Sequence, residues 1–462
     1  MRKKYSILIL STILHFLLDP VNGQNINTLR PLDNNKRIST DTTDWKIHRV
    51  LKDINFVSGK ENPSISFGGE IRQQLRFFQH MNFGDVKPGS QDHDIYLLQR
   101  YNLHADFRLS KNIRLFGQMN SNFANGKDNV SPVDGDDLGV LQAFVDFQFN
   151  QAAPVQLRLG RQEFSFGSER MLGTREGPNI RQSFDGMRIT TKLNKITGDF
   201  LIAQPLRTMP GVFDNYRNKS VTVIGTYWTS PFAENSLVDA YYFGHRVESL
   251  KFAGDTATEN RNTVGLRFSN SKTPFYYDAE VIYQFGNFGA NTISAWQISS
   301  IIGYRWSDLA LKPRVQIREG IISGDRVAGD GSINSFRPVS ARPPVNDMLS
   351  AGPSNLIVLT PEAEITINGV AVVFRYMYIR KLTSADGMYS VDASTLVRPA
   401  DDIDHAFGNS IAQALITELN YVFNQHFSLS FVAGHFFAGN YMINTGKGEN
   451  NSASSLRITY KF

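Results

Sequence analysis

Leu456-Arg457-Ile458-Thr459-Tyr460-Lys461-Phe462 puts apolar side chains on every even position and polar ones on every odd position, and the chain stops on an aromatic. Strict alternation gives a strand with one greasy and one wet face. The same pattern recurs upstream. Ile65, Phe67, Gly69, Ile71, Leu75 and Phe77 share one parity, while Glu70, Arg72, Gln74 and Arg76 share the other. Tyr101, Leu103, Ala105 and Phe107 alternate with Arg100, Asn102, His104, Asp106 and Arg108. A third such stretch runs through Leu141, Ala143, Val145, Phe147 and Phe149. A bilayer admits only helices or sheets without edges, so a chain made of such strands fits a closed barrel.

The first residues fit an export signal over residues 1–23. Arg2, Lys3 and Lys4 precede the apolar run Ser6 to Leu18, which is too short to span a bilayer and stay. Val21 and Gly23 are small enough for a cleavage site. A bacterial outer membrane is the expected destination. Residues 24–63 read as a polar periplasmic lead-in, with Trp45, Ile47, Val50 and Leu51 able to form a short helix. Cysteine is absent, which excludes disulfides and thiolate metal sites. The formal charge is +5; residues 1–23 carry three cations and Asp19, a net +2, so +3 is left for the rest. That is too little to suggest nucleic acid as a partner. The 33 Phe and 17 Tyr suit the apolar outer face and aromatic girdles of a barrel.

Alternating segments number about eighteen between residues 64 and 462. They predict one all-β domain, a transmembrane antiparallel up-and-down barrel. Among them are spans at 154–166, 180–193, 235–248, 260–270 and 310–323. Connections alternate in length. Ser110-Lys111, Ser307-Asp308, Asn368-Gly369 and Asn424-Gln425 read as tight turns. Long polar loops separate them, including 167–179, 249–259, 324–352 and 384–406; only the connection at Asn287–Asn291 breaks the rule by being short. Short periplasmic turns and long outer loops are the habit of outer-membrane barrels, and an even strand count puts both ends in the periplasm. A soluble sandwich has no reason to sort its loops, and no fixed repeat supports a solenoid.

With the apolar parity facing lipid, the other parity lines a lumen rich in arginine: Arg72, Arg100, Arg114, Arg158, Arg188, Arg314 and Arg318 among others, against fewer carboxylates such as Glu70, Asp106, Asp146, Asp278 and Glu280. Rings of arginine favour anions. The planar guanidinium grips carboxylate, phosphate or sulfate alike, so the anion is not named by this pattern.

Several stretches resemble the alginate export family of outer-membrane barrels. Gly68-Gly69-Glu70-Ile71-Arg72 resembles its first strand, and Leu98-Gln99-Arg100 through Gln118 its second hairpin. The most specific piece is Leu159-Gly160-Arg161-Gln162, followed by Phe166-Gly167-Ser168-Glu169-Arg170 and Arg181-Gln182-Ser183-Phe184-Asp185-Gly186-Met187-Arg188. Ser323-Gly324-Asp325 and Phe437-Ala438-Gly439-Asn440-Tyr441 continue the likeness. Near the end, His405 and Ala406 interrupt the family pattern around Asp404 and Glu418. The resemblance implies an eighteen-stranded pore that passes an anionic polysaccharide through an arginine-lined constriction. It implies pore-lining roles for Arg72, Arg100, Arg114, Arg161, Arg181 and Arg188, with Asp185 positioning the arginines beside Gly160. Parity adds Arg318. Gly160 could mark a bulge that aims Arg161 inward. The expected partners are outer-membrane lipid, an anionic polysaccharide or small anionic solute, the barrel-assembly machinery, and periplasmic export or uptake proteins. The alternative is a general or small-solute anion porin that takes up nutrients.

Other chemistry has little footing. His80, His93, His104, His245, His405 and His435 are scattered without a recurring nucleophile or paired carboxylate, so no catalytic residue, cofactor or metal is expected. Asp134, Asp136 and Asp137, and Asp401, Asp402 and Asp404, are acidic enough for calcium but lack its full ligand spacing; they read as solvated loop charge.

Overall fold

A computed structural model describes residues 50–56, 63–86, 90–149, 154–252, 254–327, 329–340, 348–349, 351–400 and 406–462. The predicted signal segment, Trp45, Ile47, and the acidic stretch at Asp401, Asp402 and Asp404 lie outside them. Eighteen long strands form the barrel among the described residues. They are β1 Ser64–Gln79, β2 His93–Arg108, β3 Ile113–Asn125, β4 Asp136–Phe149, β5 Val155–Gln162 and β6 Phe184–Leu193. Next come β7 Ile196–Arg207, β8 Val221–Ala233, β9 Ser236–Phe252, β10 Asp255–Asn270, β11 Phe275–Phe288 and β12 Asn291–Arg305. The last six are β13 Arg314–Ile322, β14 Leu356–Ile367, β15 Val370–Arg380, β16 Ser410–Val422, β17 Phe427–Ala438 and β18 Asn451–Lys461.

Each strand pairs antiparallel with its sequence neighbours, and β18 returns to β1 from Glu70↔Lys461 to Gln79↔Ser452. Beyond the last strand residue, Gly69 and Phe462 exchange backbone hydrogen bonds at 3.0 and 3.1 Å. Closure leaves no edge, which is the condition for burying strands in lipid. Residues 54–55 pair with the start of β1.

Alternation decides which way each side chain points. Leu75, Leu103, Val281 and Leu415 are 48–59% exposed on the outside. A greasy surface of this extent is stable only against lipid. Aromatic pairs gather at the rim of the short turns: Tyr304–Trp306 at 4.7 Å, Tyr421–Phe423 at 4.5 Å and Phe427–Tyr460 at 4.6 Å. No helix among the described residues is long and apolar enough to cross a membrane; the strands do the crossing.

Tight turns fall where expected. At Asn368-Gly369 both residues have positive φ (48° and 81°), the twist that joins adjacent right-twisted strands without splaying them. Two expectations fail. The predicted 249–259 loop is mostly strand, because β9 runs to Phe252 and β10 starts at Asp255; a register shift between Val247 and Leu250 breaks the alternation that would reveal it. The turn at Ser307-Asp308 is longer than predicted, since β13 begins only at Arg314.

Candidate functional site

The inward parity of β1–β3 carries Arg72, Arg100 and Arg114, each no more than 3% exposed. Guanidinium groups this enclosed need acceptors on every side. A loop supplies them. Residues 163–183 leave the rim after β5 and fold down inside the barrel. Arg72 donates to the carbonyls of Glu176 and Pro178, both at 3.1 Å. Arg100 donates from Nε to the carbonyl of Asn179 at 2.7 Å and from Nη2 to that of Pro178 at 2.7 Å. Its Nη1 reaches Glu70 at 3.0 Å and Glu176 at 2.8 Å. Arg181 closes the cluster through Glu163 at 2.9 Å and Glu176 at 3.6 Å. Asn179 locks the loop from the other direction, its amide donating to the carbonyls of Gln99, Phe123 and Asp134.

Deeper in the wall the arginines alternate with carboxylates. Arg114 bonds Asp106 at 2.8 Å and Asp146 at 3.2 Å, and Arg158 takes the other side of Asp146 at 2.7 Å while lying 3.8 Å over the Phe144 ring. Arg188 bonds Asp199 at 2.7 Å. The cation surplus read from the sequence is therefore largely offset locally. Several partners escaped the sequence reading. Asp199, Asp239 and Glu362 share the inward parity of segments recognised as strands, so a fuller count of that parity would have found them. Glu163 and Glu176 sit in a loop, where parity says nothing.

Two expected pore residues are misplaced by the prediction. Arg161 and Asp185 are cross-strand partners bonded through both guanidinium edges, Nε–Oδ1 at 2.8 Å and Nη2–Oδ2 at 3.2 Å. They share the row of Ala143 and Gln204, the parity facing away from the lumen. Gly160 has a φ of +126°, but the register runs through it unshifted on both sides, so no bulge turns Arg161 inward. A Cβ at Gly160 would lie 2.3 Å from the Ala143 carbonyl oxygen; the glycine serves close strand approach instead. Arg181 points into the lumen from the loop, since β6 begins only at Phe184.

The 163–183 loop continues across the bore. Phe166 stacks on Tyr227 of β8 at 5.1 Å, which stacks on Tyr241 of β9 at 5.2 Å. Arg170 reaches Glu280 of β11 at 3.3 Å. A second segment, between β13 and β14, folds inward to meet it. Its Arg337 pairs with Glu259, and the Arg337 carbonyl accepts from Gln284 at 2.8 Å. The two insertions join each other: Gly173 donates to the Ser340 carbonyl at 2.7 Å, and Ser340 to that of Met171 at 3.0 Å. Phe164, Leu172 and Phe336 are fully buried between them and the wall.

A cavity of ≈ 600 Å³ lies against β10–β16, bordered by Arg170, Arg267, Arg318, Arg375, Asp278 and Glu418. Glu362, 1% exposed, is shared by three guanidinium groups: Arg314 at 2.8 Å, Arg375 at 2.6 Å and Arg318 at 3.4 Å. Arg318 holds it most loosely, and its side chain is 43% exposed to the cavity. Elsewhere, Asp134 bonds Lys127 and Ser131, and Asp136 accepts from Asn120 and Asn215, so the first acidic stretch is occupied by internal partners.

The inner segments carry their own titration. Burial, with Asp386 close by, pushes the Asp325 carboxyl up to about 6; burial raises Asp386 as well. Asp386 accepts from the Asp325 backbone N–H at 2.8 Å and from the Ser335 hydroxyl at 2.6 Å. A carboxyl raised on folding favours the folded loop most below the ordinary carboxylate range, and that gain is lost as pH rises through about 6. Hydrogen exchange of residues 323–336 is therefore expected to be slower at pH 5 than at pH 7.5, after correction for intrinsic rates. Asp325→Asn should flatten the difference; an unchanged difference in that variant would show another group responsible.

The alginate export family model matches residues 64–455. Solved structures of the same fold include a BenF-like porin from Pseudomonas fluorescens Pf-5, at 11% identity and a TM-score of 0.58, covering 86% of this chain and 98% of that one. OccK2 (OpdF) of Pseudomonas aeruginosa, solved in complex with glucuronate, gives 11%, 0.56, 86% and 98% in the same terms. OccK8 (OprE) of Pseudomonas aeruginosa gives 10%, 0.56, 86% and 98%. No curated protein matches the chain in sequence.

Proposed function

Because the chain belongs to the alginate export family, a family of outer-membrane channels rather than enzymes, we propose that its lumen conducts anionic sugar chains and that Arg318 is the residue they touch most directly. The observation carrying this reading is the half-exposed side chain of Arg318 at the cavity, which shares one buried carboxylate with two other arginines. A carboxylate passing about 4 Å from such a group in wet surroundings gains roughly 1 kcal/mol. That is enough to draw it in and too little to hold it, as conduction requires. Arg267, Arg375 and Arg170 border the same cavity and offer successive contacts. Arg72, Arg100, Arg114, Arg181 and Arg188 act on this reading as the charged lining that holds the inner loop and shapes the path.

Acidic sugars fit the chemistry of a planar, bidentate donor. The family name and the glucuronate bound by OccK2 both concern uronates. Partners on this reading are outer-membrane lipid, the machinery that inserts barrels, and periplasmic proteins that deliver or collect the sugar, with residues 24–63 on their side after removal of residues 1–23.

One observation favours passage of small anions instead. The ≈ 600 Å³ cavity has room for a few sugar units, beside two inserted segments that are bonded to each other inside the barrel. Planar-bilayer recordings separate the readings. Reversal potentials in a salt gradient should show anion preference, reduced roughly twofold in Arg318→Gln. Added polyuronate should block the parent channel and block the variant less. Block by a single uronate, with none by the polymer, would favour the small-solute porin. A cation preference at neutral pH would overturn both.

A further inference from the structure

We propose that His80, Asp92 and Glu449 form a binding site for a zinc-class divalent cation at the outer mouth, clipping the β1–β2 loop to the β17–β18 loop. The three donor atoms lie within 4.8 Å of one another. Asp92 Oδ2 and Glu449 Oε2 both converge on His80 Nδ1, at 3.0 and 2.7 Å. One ring N–H can be directed well at only one acceptor. The imidazole hydrogen-bonds Asp92, and Glu449 Oε2 is buried without a hydrogen bond among the described residues. Two carboxylate oxygens aimed at one nitrogen is poor hydrogen bonding but sound coordination. Donors around a tetrahedral zinc stand roughly 3.4 Å apart, given bonds of about 2.1 Å. Only a small opening of the cluster is needed.

The backbone holds all three groups in place. His80 sits in the left-handed region at φ 54°. Met81 donates to the Asp92 carbonyl at 2.8 Å, and Glu449 donates to the Phe83 carbonyl at 3.1 Å. Phe83 is fully buried and anchors the turn. Gly84, at φ +84°, leaves room for the Glu449 carboxylate, which a Cβ there would meet at 2.5 Å. The other Asp92 oxygen faces His93 at 3.4 Å, an outer partner able to orient the carboxylate. The three side chains are 32–43% exposed, so an ion has access and can keep water ligands.

One imidazole with two carboxylates suits zinc, nickel, copper or cobalt. Calcium prefers six to eight oxygens and is poorly served here. Binding joins the first outer loop to the last, directly above the β1–β18 seam where the barrel closes.

The test uses the full-length barrel in detergent, without a histidine tag and stripped with chelator. Titration calorimetry with zinc chloride should give one site per barrel in the micromolar range, with calcium at least tenfold weaker. His80→Ala and Glu449→Gln, both still heat-modifiable, should each weaken zinc at least tenfold. Zinc should raise the temperature of barrel unfolding in the parent and leave both variants unmoved. Absence of a stoichiometric site, or zinc binding unchanged in both folded variants, overturns the proposal and leaves an ion pair. Calcium binding more tightly than zinc overturns the ion class.

Discussion

Excising residues 325–352 and joining the ends with a short glycine linker is expected to raise single-channel conductance several-fold while the barrel stays heat-modifiable. The excised stretch carries Phe336, Arg337 and Ser340, which tie it to the wall at Glu259 and to the other insertion at Gly173. These residues occupy volume that would otherwise be water. The ends are already adjacent, since Asn355 donates to the Ser323 carbonyl at 3.0 Å, so the linker imposes no strain on β13 or β14. The groups left behind, Glu259 with Arg261 at 3.1 Å, keep each other as partners and gain lumen water. A folded variant with parental conductance would show that ions bypass this segment altogether.

Arg100→Met should have the largest effect of any single substitution in the lumen. It removes five hydrogen-bond donations at once: to Glu70, Asn179, Pro178, and both the carboxylate and the carbonyl of Glu176. Glu70, 6% exposed, is left as a buried charge short of its closest cation. Breaking one side of such a pair costs about 3–5 kcal/mol. The loop also loses its main grip on the wall, so cleavage within 170–180 by added protease should rise sharply. Arg100→Lys should rescue only part, because one ammonium cannot replace a forked donor across five acceptors. The observation against this account would be a Met variant whose unfolding temperature and loop protection both match the parent.

The two variants probe different things. Residues 325–352 add bulk to an assembled lumen, whereas Arg100 holds the other insertion in register. Conductance should move strongly in the first with little change in stability, and stability should move strongly in the second.

Most of the barrel was legible in the sequence because period-two alternation is a local signal. Every strand from β1 to β18 corresponds to one alternating segment, and the inward rows containing Arg72, Arg100, Arg114, Arg188 and Arg318 follow from parity alone. The same rule fixed its own error at Arg161. Counting outward from Arg158 puts Arg161 with Leu159 on the lipid side; the family resemblance, helped by the supposition of a bulge at Gly160, suggested otherwise. The β9–β10 hairpin was cut short because the register shifts between Val247 and Leu250, so the buried parity passes from Val247 to Phe252 and the alternation is broken there.

Alternation and loop lengths determined the closed sheet, the facing of each strand residue and the membrane it suits, since a bilayer punishes every unpaired backbone group and every misplaced charge. Only the tertiary structure decided what fills the pore. The 163–183 and 323–355 segments have no periodicity, and the course of their described residues inside the barrel depends on acceptors far away in sequence: Glu176 and Asn179 for Arg100, and Glu259 for Arg337. It also decided that most arginines are matched by carboxylates, and that the Arg318 side chain stays half-exposed at the border of the open cavity. A strand's facing is set by its neighbours along the chain. The charge balance of a lumen is set by neighbours across it, and those are chosen by closure.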